Sequence, residues 1–339
     1  KTIYNNFIYL YNFCNKKTKI IKIDNNKYSL DIPQFLNLNL YSNNLILEYT
    51  TFLKPKKIID LNLTNFKLDI IEDLTPKNYN YDEYREKIIK VNKNLHITML
   101  YKKDKFRTKM PCLLTGYGAY GDTIEPDFNK FIVSLLDRGF IYCIAHVRGS
   151  GFNNHTWWKK GKKLNKKNTF IDFINCAKFL INNNYTLPDR LNIFGRSAGG
   201  LLIGAVLNMN PELFNLAIMG VPFVDVITDM TNPCTPLTTE EYEEWGNPNN
   251  KKVLKYISSY SPIDNINFNH NYPNLYIYTN KNDTLVPYDG VIRYFNKISS
   301  SKVFKNKDKD AFIYVNNKYG HNQSSDKYEY LKKCLNYIQ

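Results

Sequence analysis

Clustered metal ligands and long apolar runs are missing from this chain, and each absence excludes a class of protein. The 339 residues contain only five histidines and six cysteines, and the cysteines form no Cys-x-x-Cys pair. No histidines or cysteines therefore have the spacing of ligands in a structural or catalytic metal site. We expect neither a metal nor an organic cofactor. No apolar run approaches the roughly 20 residues that cross a bilayer, so we expect no membrane association.

The scattered cysteines and the first residues of the chain give information about the cellular compartment of the protein. Several cysteines stand inside apolar runs such as FIYCIAHV, where a thiol behaves as a small hydrophobic group. Free thiols indicate a reducing compartment, and no secretory signal pattern opens the chain. The sequence thus predicts a cytoplasmic protein and leaves the reactivity of Cys234 open. Because the chain begins at Lys1 rather than at a methionine, a fragment of a longer protein stays an alternative.

The positive charge comes almost entirely from lysine. Lys and Arg outnumber Asp and Glu by 46 to 31, a net charge of +15, but the lysines are spread along the chain. We interpret the densest run, KKGKKLNKK over 159–167, as a solvated loop leading into a helix. No nucleic-acid-binding motif accompanies it, so no nucleic-acid partner is expected. A non-catalytic α/β module with a basic binding surface is kept as an alternative.

The pattern of apolar residues changes near position 75. Up to that point, short alternating segments broken by Asn-Asn and Lys-Pro predict an antiparallel meander such as a propeller blade. Beyond it, short apolar strands alternate with segments of helical period, which predicts a mostly parallel sheet covered by helices. We therefore expect a β-rich segment over 1–75 and an α/β domain over 76–339.

One serine lies in a Gly-x-Ser-x-Gly motif, formed by Gly195-Arg196-Ser197-Ala198-Gly199. The strand LNIF precedes it and the helix LLIGAVL follows it. This strand–turn–helix setting is the nucleophile elbow of α/β-hydrolase folds, in which the serine hydroxyl is exposed on a tight turn. The motif predicts an α/β-hydrolase with Ser197 as nucleophile.

An acid and a histidine follow Ser197 in the order that this fold requires. Asp283 comes just after the strand NLYIYT, and His321 comes just after the strand AFIYV. The four other histidines precede the candidate acid. We therefore predict Asp283 as the orienting acid and His321 as the general base.

An oxyanion hole is the next requirement of acyl-transfer chemistry. The amide of Ala198, directly after the nucleophile, is one expected donor. The His-Gly-Gly-Gly motif of esterases is absent, and the loop TGYGAYG offers tyrosine hydroxyls instead, of which Tyr117 is the favoured one. An esterase or thioesterase on the same fold stays an alternative.

Several longer segments carry a family resemblance. The chain from about Tyr84 onward resembles the prolyl oligopeptidase family of serine peptidases, and within it the oligopeptidase B group, through the segments GYGAYG, AHVRGSG, GRSAGGLLIGAVLNMNPELF, GVPFVDV and PLTTEEYEEWGNP. The resemblance implies the same triad and the same oxyanion hole of Tyr117 and Ala198. It also implies that the first segment is the end of a propeller, most of which this chain lacks, so a catalytically incomplete fragment is a further alternative.

Two acidic clusters stand out in this basic chain. By resemblance, Glu241 and Glu243 bind the basic residue before the cleaved bond, and Glu125 and Asp127 favour a second basic residue next to it. The expected substrates are therefore short basic peptides cleaved after Lys or Arg. The chain departs from the family where Phe152 replaces a loop glutamate after Gly149-Ser150-Gly151.

Overall fold

A computed structural model describes residues 8–24, 28–39, 41–152, 154–232, 238–322 and 332. Within these residues the chain forms fourteen strands and nine α-helices. The strands are β1 Ile8–Asn12, β2 Lys17–Ile21, β3 Ser29–Asp31, β4 Asn44–Thr50, β5 Lys57–Asn62, β6 Leu68–Asp73, β7 Tyr84–Lys90, β8 His96–Lys102, β9 Cys112–Thr115, β10 Ile141–Ala145, β11 Leu191–Arg196, β12 Leu216–Gly220, β13 Asn274–Asn280 and β14 Ala311–Asn316. The helices are α1 Lys130–Asp137, α2 His155–Lys159, α3 Lys167–Asn182, α4 Ala198–Met209, α5 Val226–Thr231, α6 Tyr242–Trp245, α7 Lys251–Ser258, α8 Tyr288–Ile298 and α9 Lys302–Lys305.

The chain divides into two compact units. The first comprises residues 1–86, 102–104 and 125–134, and the second comprises residues 87–101, 105–124 and 135–339. Among the described residues, no helix is both long and apolar enough to cross a bilayer.

The first unit is built from antiparallel strands. Strands β3 to β6 form a four-stranded sheet in sequence order, and β1 and β2 pair as a separate hairpin. Alternate residues of the central strands point into a small apolar core, which contains Leu47, Tyr49, Ile59 and Leu61. A four-stranded antiparallel meander is the arrangement that the spacing of turn signals predicts, and it is the unit from which propeller blades are made.

The main sheet has eight strands in the order β14-β13-β12-β11-β9-β10-β8-β7. The pairings from β10 through β9, β11, β12 and β13 to β14 are parallel, whereas β8 runs antiparallel to β10. Strands β9, β12 and β13 are buried along their whole length, as expected for strands covered on both faces. The predicted α/β-hydrolase fold is confirmed.

Three details differ from the sequence-based expectation or lie beyond it. Strand β12 was not predicted, although it is the strand next to the nucleophile strand β11. His96, one of the four histidines that precede the candidate acid, is the first residue of β8 and so belongs to the main sheet. The C-terminal segment KYEYLKKCLNYI, whose apolar residues have the spacing of a helix, lies outside the described residues except for Lys332.

Candidate active site

Ser197 occupies the turn between β11 and α4 with an unusual backbone conformation. Its φ of 56° and ψ of −120° lie in a region that residues with a side chain rarely adopt. The turn is held because the Ser197 amide donates to the carbonyl oxygen of Gly220 on β12 at 2.9 Å. Surrounding contacts are needed to hold a turn with such a strained backbone. The turn places Ser197 at the cavity, as the Gly-x-Ser-x-Gly motif predicts.

The glycines flanking this turn are required by close backbone approach. A Cβ atom added to Gly195 would lie 2.1 Å from the carbonyl oxygen of Gly199, and one added to Gly200 would lie 2.3 Å from Cβ of Pro222. Neither contact is compatible with a side chain. The sequence therefore permits the tight packing of α4 behind the nucleophile strand.

The three predicted triad residues come together at the ends of neighbouring parallel strands. The Oγ atom of Ser197 lies 3.0 Å from Nε2 of His321, and Nδ1 of the same ring lies 2.7 Å from Oδ2 of Asp283. With Asp283 ionised, the ring carries its proton on Nδ1 and leaves Nε2 free to accept the serine proton.

Backbone and side-chain contacts fix the acid and the histidine. The amides of Leu285 and Val286 each donate to Oδ1 of Asp283 at 2.9 Å, which leaves Oδ2 for the imidazole. Asn280, the last residue of β13, donates from Nδ2 to the carbonyl oxygen of Gly320 at 2.8 Å. The side chain of Arg196 donates to the carbonyl oxygen of His321. The loops after β13 and β14 are thereby tied to each other and to the nucleophile turn.

The two predicted oxyanion donors lie beside the nucleophile. Ala198 is the first residue of α4, where a helix leaves its N–H groups without intrahelical acceptors. The hydroxyl of Tyr117 makes a hydrogen bond with the side chain of Ser197. Burial, together with the nearby carboxylates of Asp122 and Glu241, raises the pKa of Tyr117 to about 12, so the phenol keeps its proton at neutral pH.

A cavity of about 510 Å³ opens beside Ser197 and His321. Its walls include aromatic rings, among them Phe223 and Trp245, and its polar lining includes the carboxylate of Glu241. This volume is within the range of pockets that hold small ligands or side chains.

Glu241 is held in place by two donors on one oxygen. The hydroxyl of Tyr120 and the indole N–H of Trp245 donate to Oε2 of Glu241 at 2.9 and 2.6 Å. Burial raises the pKa of this carboxyl, and the two hydrogen bonds oppose that effect. The arrangement places a fixed acidic group in the cavity wall, where it can pair with a cation.

Glu243, the second predicted substrate carboxylate, lies elsewhere. Its side chain is 67% exposed and forms ion pairs with Lys162 and, at 2.7 Å, with Lys163. These lysines hold the pKa of Glu243 down at about 2. Glu243 does not line the cavity in the described part of the chain.

The basic run over 159–167 leads into helix α3, as predicted, but only part of it is solvated. Lys162 and Lys166 are both buried, and Lys166 is only 1% exposed. The ammonium of Lys166 lies 3.5 Å from Oε1 of Glu244, whose other oxygen accepts from the indole N–H of Trp158 at 2.7 Å. The lysine run thus neutralises Glu243 and Glu244, and Glu241 is the glutamate of this cluster that faces the cavity.

The remaining predicted residues are placed as follows. Glu125 and Asp127 belong to the first compact unit, whereas the cavity-lining residues belong to the second, so their role in substrate binding stays a prediction. Phe152 stacks on the ring of His146 with centroids 3.6 Å apart, so an apolar contact stands where the family has a loop carboxylate. Cys234 lies outside the described residues. Among the residues that are described, no group of His, Cys, Asp or Glu could hold a metal ion.

Sequence reasoning missed three residues of this region. Asn280 is the last residue of a strand and carries no motif. Lys166 is one of several lysines in a run, and its partner Glu244 is 78 positions away. Asp229 lines the cavity as well. The one sequence signal for it is its position four residues after Asp225, on the short helix α5 that follows β12.

Comparison with known proteins identifies the family of the chain. Residues 126–339 match the prolyl oligopeptidase family. The chain is 35% identical over 300 residues to Protease 2 of Moraxella lacunata, covering 86% of this chain and 43% of that protein. It is 37% identical over 274 residues to dipeptidyl aminopeptidase BI of Pseudoxanthomonas mexicana, covering 79% and 38% of the two chains.

Comparison with solved structures points to the same family. Oligopeptidase B from Leishmania major superposes with a TM-score of 0.87 at 31% identity, over 97% of this chain and 47% of the other. Oligopeptidase B from Trypanosoma brucei, in a closed form with covalently bound antipain, gives a TM-score of 0.85 at 36% identity, over 94% and 46%. The chain spans less than half the length of each of these proteins. It belongs to the prolyl oligopeptidase family of serine peptidases and is similar to oligopeptidase B.

Proposed function

We propose that this chain carries the active site of a serine oligopeptidase that cleaves short peptides after a basic residue. The observation that carries the proposal is the continuous chain of hydrogen-bond contacts from Ser197 through His321 to Asp283, with distances of 3.0 and 2.7 Å, at the mouth of an acidic cavity. Nucleophile, base and orienting acid within hydrogen-bond reach are the signature of acyl transfer through a covalent intermediate.

In the proposed reaction, the Ser197 hydroxyl attacks the scissile carbonyl carbon while Nε2 of His321 takes its proton. The oxygen of the tetrahedral intermediate accepts hydrogen bonds from the Ala198 amide and the Tyr117 hydroxyl. The intermediate collapses when His321 protonates the leaving amine, and an acyl-enzyme remains. Water, deprotonated by His321, then attacks the ester and releases Ser197.

Glu241 is our candidate for the residue that selects a basic side chain. Its fixed carboxylate would meet an arginine or lysine that enters the cavity, and the aromatic walls would pack on the aliphatic part of that side chain. Binding of a substrate cation by Glu243 would require its exchange from Lys162 and Lys163, so we assign that residue a lesser part. A contribution of Glu125 and Asp127 to a neighbouring subsite stays within the proposal.

The proposal extends to the compartment of the protein and to its division into domains. The four described cysteines, Cys14, Cys112, Cys143 and Cys176, are free thiols, which supports a cytoplasmic location. We also keep the division into a propeller-like segment over 1–75 and a peptidase domain over 76–339.

Hydrolysis of dipeptide amides with a fluorescent leaving group tests the proposal. Substrates with arginine, alanine or phenylalanine before the scissile bond are compared on the wild-type chain and on Ser197→Ala. We expect rapid cleavage of the arginine substrate and its loss in the variant. Cleavage of esters but not of any amide would instead support the esterase alternative, and no cleavage at all would indicate a catalytically incomplete chain.

A further inference from the structure

A second carboxylate lines the same cavity. Asp229 lies on the short helix α5, is 7% exposed, and shares the cavity lining with Ser197 and Glu241. Neither the motifs of the sequence nor the proposed triad accounts for it. A buried carboxylate without a structural role is costly, because burial removes its hydration.

The guanidinium group of Arg293, whose charge acts on Asp229, is hydrogen-bonded to Asp225. Nε and Nη2 of Arg293 on α8 both contact Oδ2 of Asp225, at 2.7 and 2.6 Å. Within the described part of the chain, no hydrogen bond is donated to the Asp229 carboxylate. Its neighbour across the helix interface is Gly290, whose added Cβ would lie 3.8 Å from Oδ2 of Asp229. Among the described residues, the Asp229 carboxylate thus accepts no hydrogen bond, and it lies buried in the cavity wall.

Glu241 alone offers too few hydrogen-bond acceptors for all the N–H donors of a guanidinium group. Its Oε2 already accepts from Tyr120 and Trp245, which leaves mainly Oε1 for a substrate. An arginine side chain presents five N–H donors on a rigid plane, and it pairs best where acceptors meet more than one of its edges. A second acceptor in the same cavity would meet this demand.

We propose that Asp229 is a specificity-determining residue which, together with Glu241, binds the cationic group of the basic substrate residue. This inference rests on the proposed function for its substrate. It adds a binding residue, and it gives a role to a buried carboxylate that accepts no hydrogen bond from the described residues.

The charges facing Asp229 make its ionisation responsive to such a ligand. Burial and the neighbouring Asp225 raise the pKa of Asp229 to about 7, while Arg293 opposes the shift. Glu241 and Arg196, which carry opposite charges, line the same cavity. Near pH 7 a large part of the population is therefore protonated. A bound cation favours the ionised form, so binding releases the Asp229 proton to solvent. Affinity for a cation then rises as pH rises through about 7.

The first test uses paired substrates that differ only in charge. Arginine and its neutral isostere citrulline are placed before the scissile bond, and the ratio of their kcat/KM values is measured between pH 6 and 8.5. We expect Asp229→Asn to lower the arginine-to-citrulline ratio by roughly tenfold to a hundredfold and to flatten its rise with pH. Asp229→Ser removes the same charge with a different side chain and should lower the arginine-to-citrulline ratio as well. Asp289→Asn, which removes an exposed aspartate on α8, is the matched control and should leave the ratio unchanged.

The second test does not depend on turnover. Calorimetry on Ser197→Ala measures binding of benzyloxycarbonyl-arginine amide and its citrulline analogue, in two buffers of different ionisation enthalpy at pH 7. We expect proton release with the arginine ligand, and its loss when Asp229→Asn is added. If the wild type cleaves nothing but this Asp229-dependent binding is seen, the proposed function fails and the inference stands. An unchanged substrate ratio, or equal proton release with and without Asp229, overturns the inference even if the peptidase activity is present.

Discussion

The buried ammonium group of Lys166 donates a hydrogen bond to the carbonyl oxygen of Gly118 at 2.7 Å. The same nitrogen lies 4.5 Å from the ring centroid of Trp245 and 3.5 Å from Oε1 of Glu244. Gly118 follows Tyr117 directly, and Trp245 donates to Glu241. One lysine thus connects the loop of the proposed oxyanion donor to the segment of the proposed specificity carboxylate.

Replacing Lys166 should destabilise this part of the molecule. Lys166→Met leaves Glu244 buried without its ion partner, and breaking a buried pair from one side typically costs about 3–5 kcal/mol. Adding Glu244→Gln removes the uncompensated charge and should recover a substantial part of the loss. Urea denaturation of the two single variants and the double variant measures the coupling, with Lys159→Met, an exposed lysine of the same run, as control. Equal losses in the single and double variants would contradict the ion-pair account.

The stability contribution of Lys166 should also depend on pH. Burial lowers the pKa of Lys166 from its ordinary 10.5 to about 8, an effect that Glu244 opposes. Between these two values the unfolded chain binds more protons than the folded chain, so the contribution of this group to stability rises as pH increases. The difference in unfolding free energy between the wild type and Lys166→Met, measured at pH 7.5 and 9.5, should therefore grow in favour of the wild type. A constant or shrinking difference would show that the lysine is not desolvated in the folded chain.

Removing the Tyr117 hydroxyl should affect the chemical step. Tyr117→Phe deletes one proposed oxyanion donor, and loss of such a donor typically lowers kcat by about 10²–10³. Because the donor acts on the charge that develops in the transition state, KM should change little, and every substrate should be affected alike. Steady-state kinetics with the arginine and alanine amides checks this.

Tyr120→Phe is the informative companion variant, since its hydroxyl donates to Glu241 rather than to the nucleophile. It should weaken discrimination between arginine and alanine substrates while retaining most of the kcat. If Tyr117→Phe altered discrimination and Tyr120→Phe altered kcat for all substrates, the roles of the two tyrosines would have to be exchanged.

A methyl group at Gly200 should strain the packing behind the nucleophile. The added Cβ would lie 2.3 Å from Cβ of Pro222, so Gly200→Ala forces α4 away from the loop after β12. Overpacking of this kind typically costs about 1–3 kcal/mol. Gly320→Ala is the control, because among the described residues its Cβ would meet only the Asn282 carbonyl oxygen, at 3.5 Å. Thermal unfolding of both variants gives the comparison, and equal midpoints would contradict the close packing at Gly200.

Local sequence signals were sufficient for the proposed triad because each residue follows a strand that is readable by itself. Ser197 sits in a motif whose first glycine, Gly195, is required by a close contact with Gly199 in the same motif. Asp283 and His321 follow apolar runs, and parallel strands bring their C-terminal ends to one edge of the sheet. The predicted acidity of the cavity also came from a local cluster, of which Glu241 faces the cavity.

Contacts between residues that are distant along the chain could not be predicted from the sequence. Nothing in the lysine run distinguishes the buried Lys166 from an exposed lysine, because its burial depends on Glu244 and Gly118, both distant along the chain. Glu243 and Glu244 were likewise indistinguishable until their lysine partners were known. Strand β12 was missed since its five apolar residues show no periodicity and continue into the apolar segment VPF.

Labelling with a fluorophosphonate, followed by mass-spectrometric mapping of the modified peptide, tests the central claim most directly. The reagent reacts with a serine whose hydroxyl is activated by a correctly placed base. The account predicts a single adduct on Ser197 in the wild-type chain and its loss in His321→Ala, with the folded state of that variant verified by circular dichroism. An adduct on another residue, or none on a folded wild-type chain, would contradict the assignment of Ser197, His321 and Asp283 as a working triad.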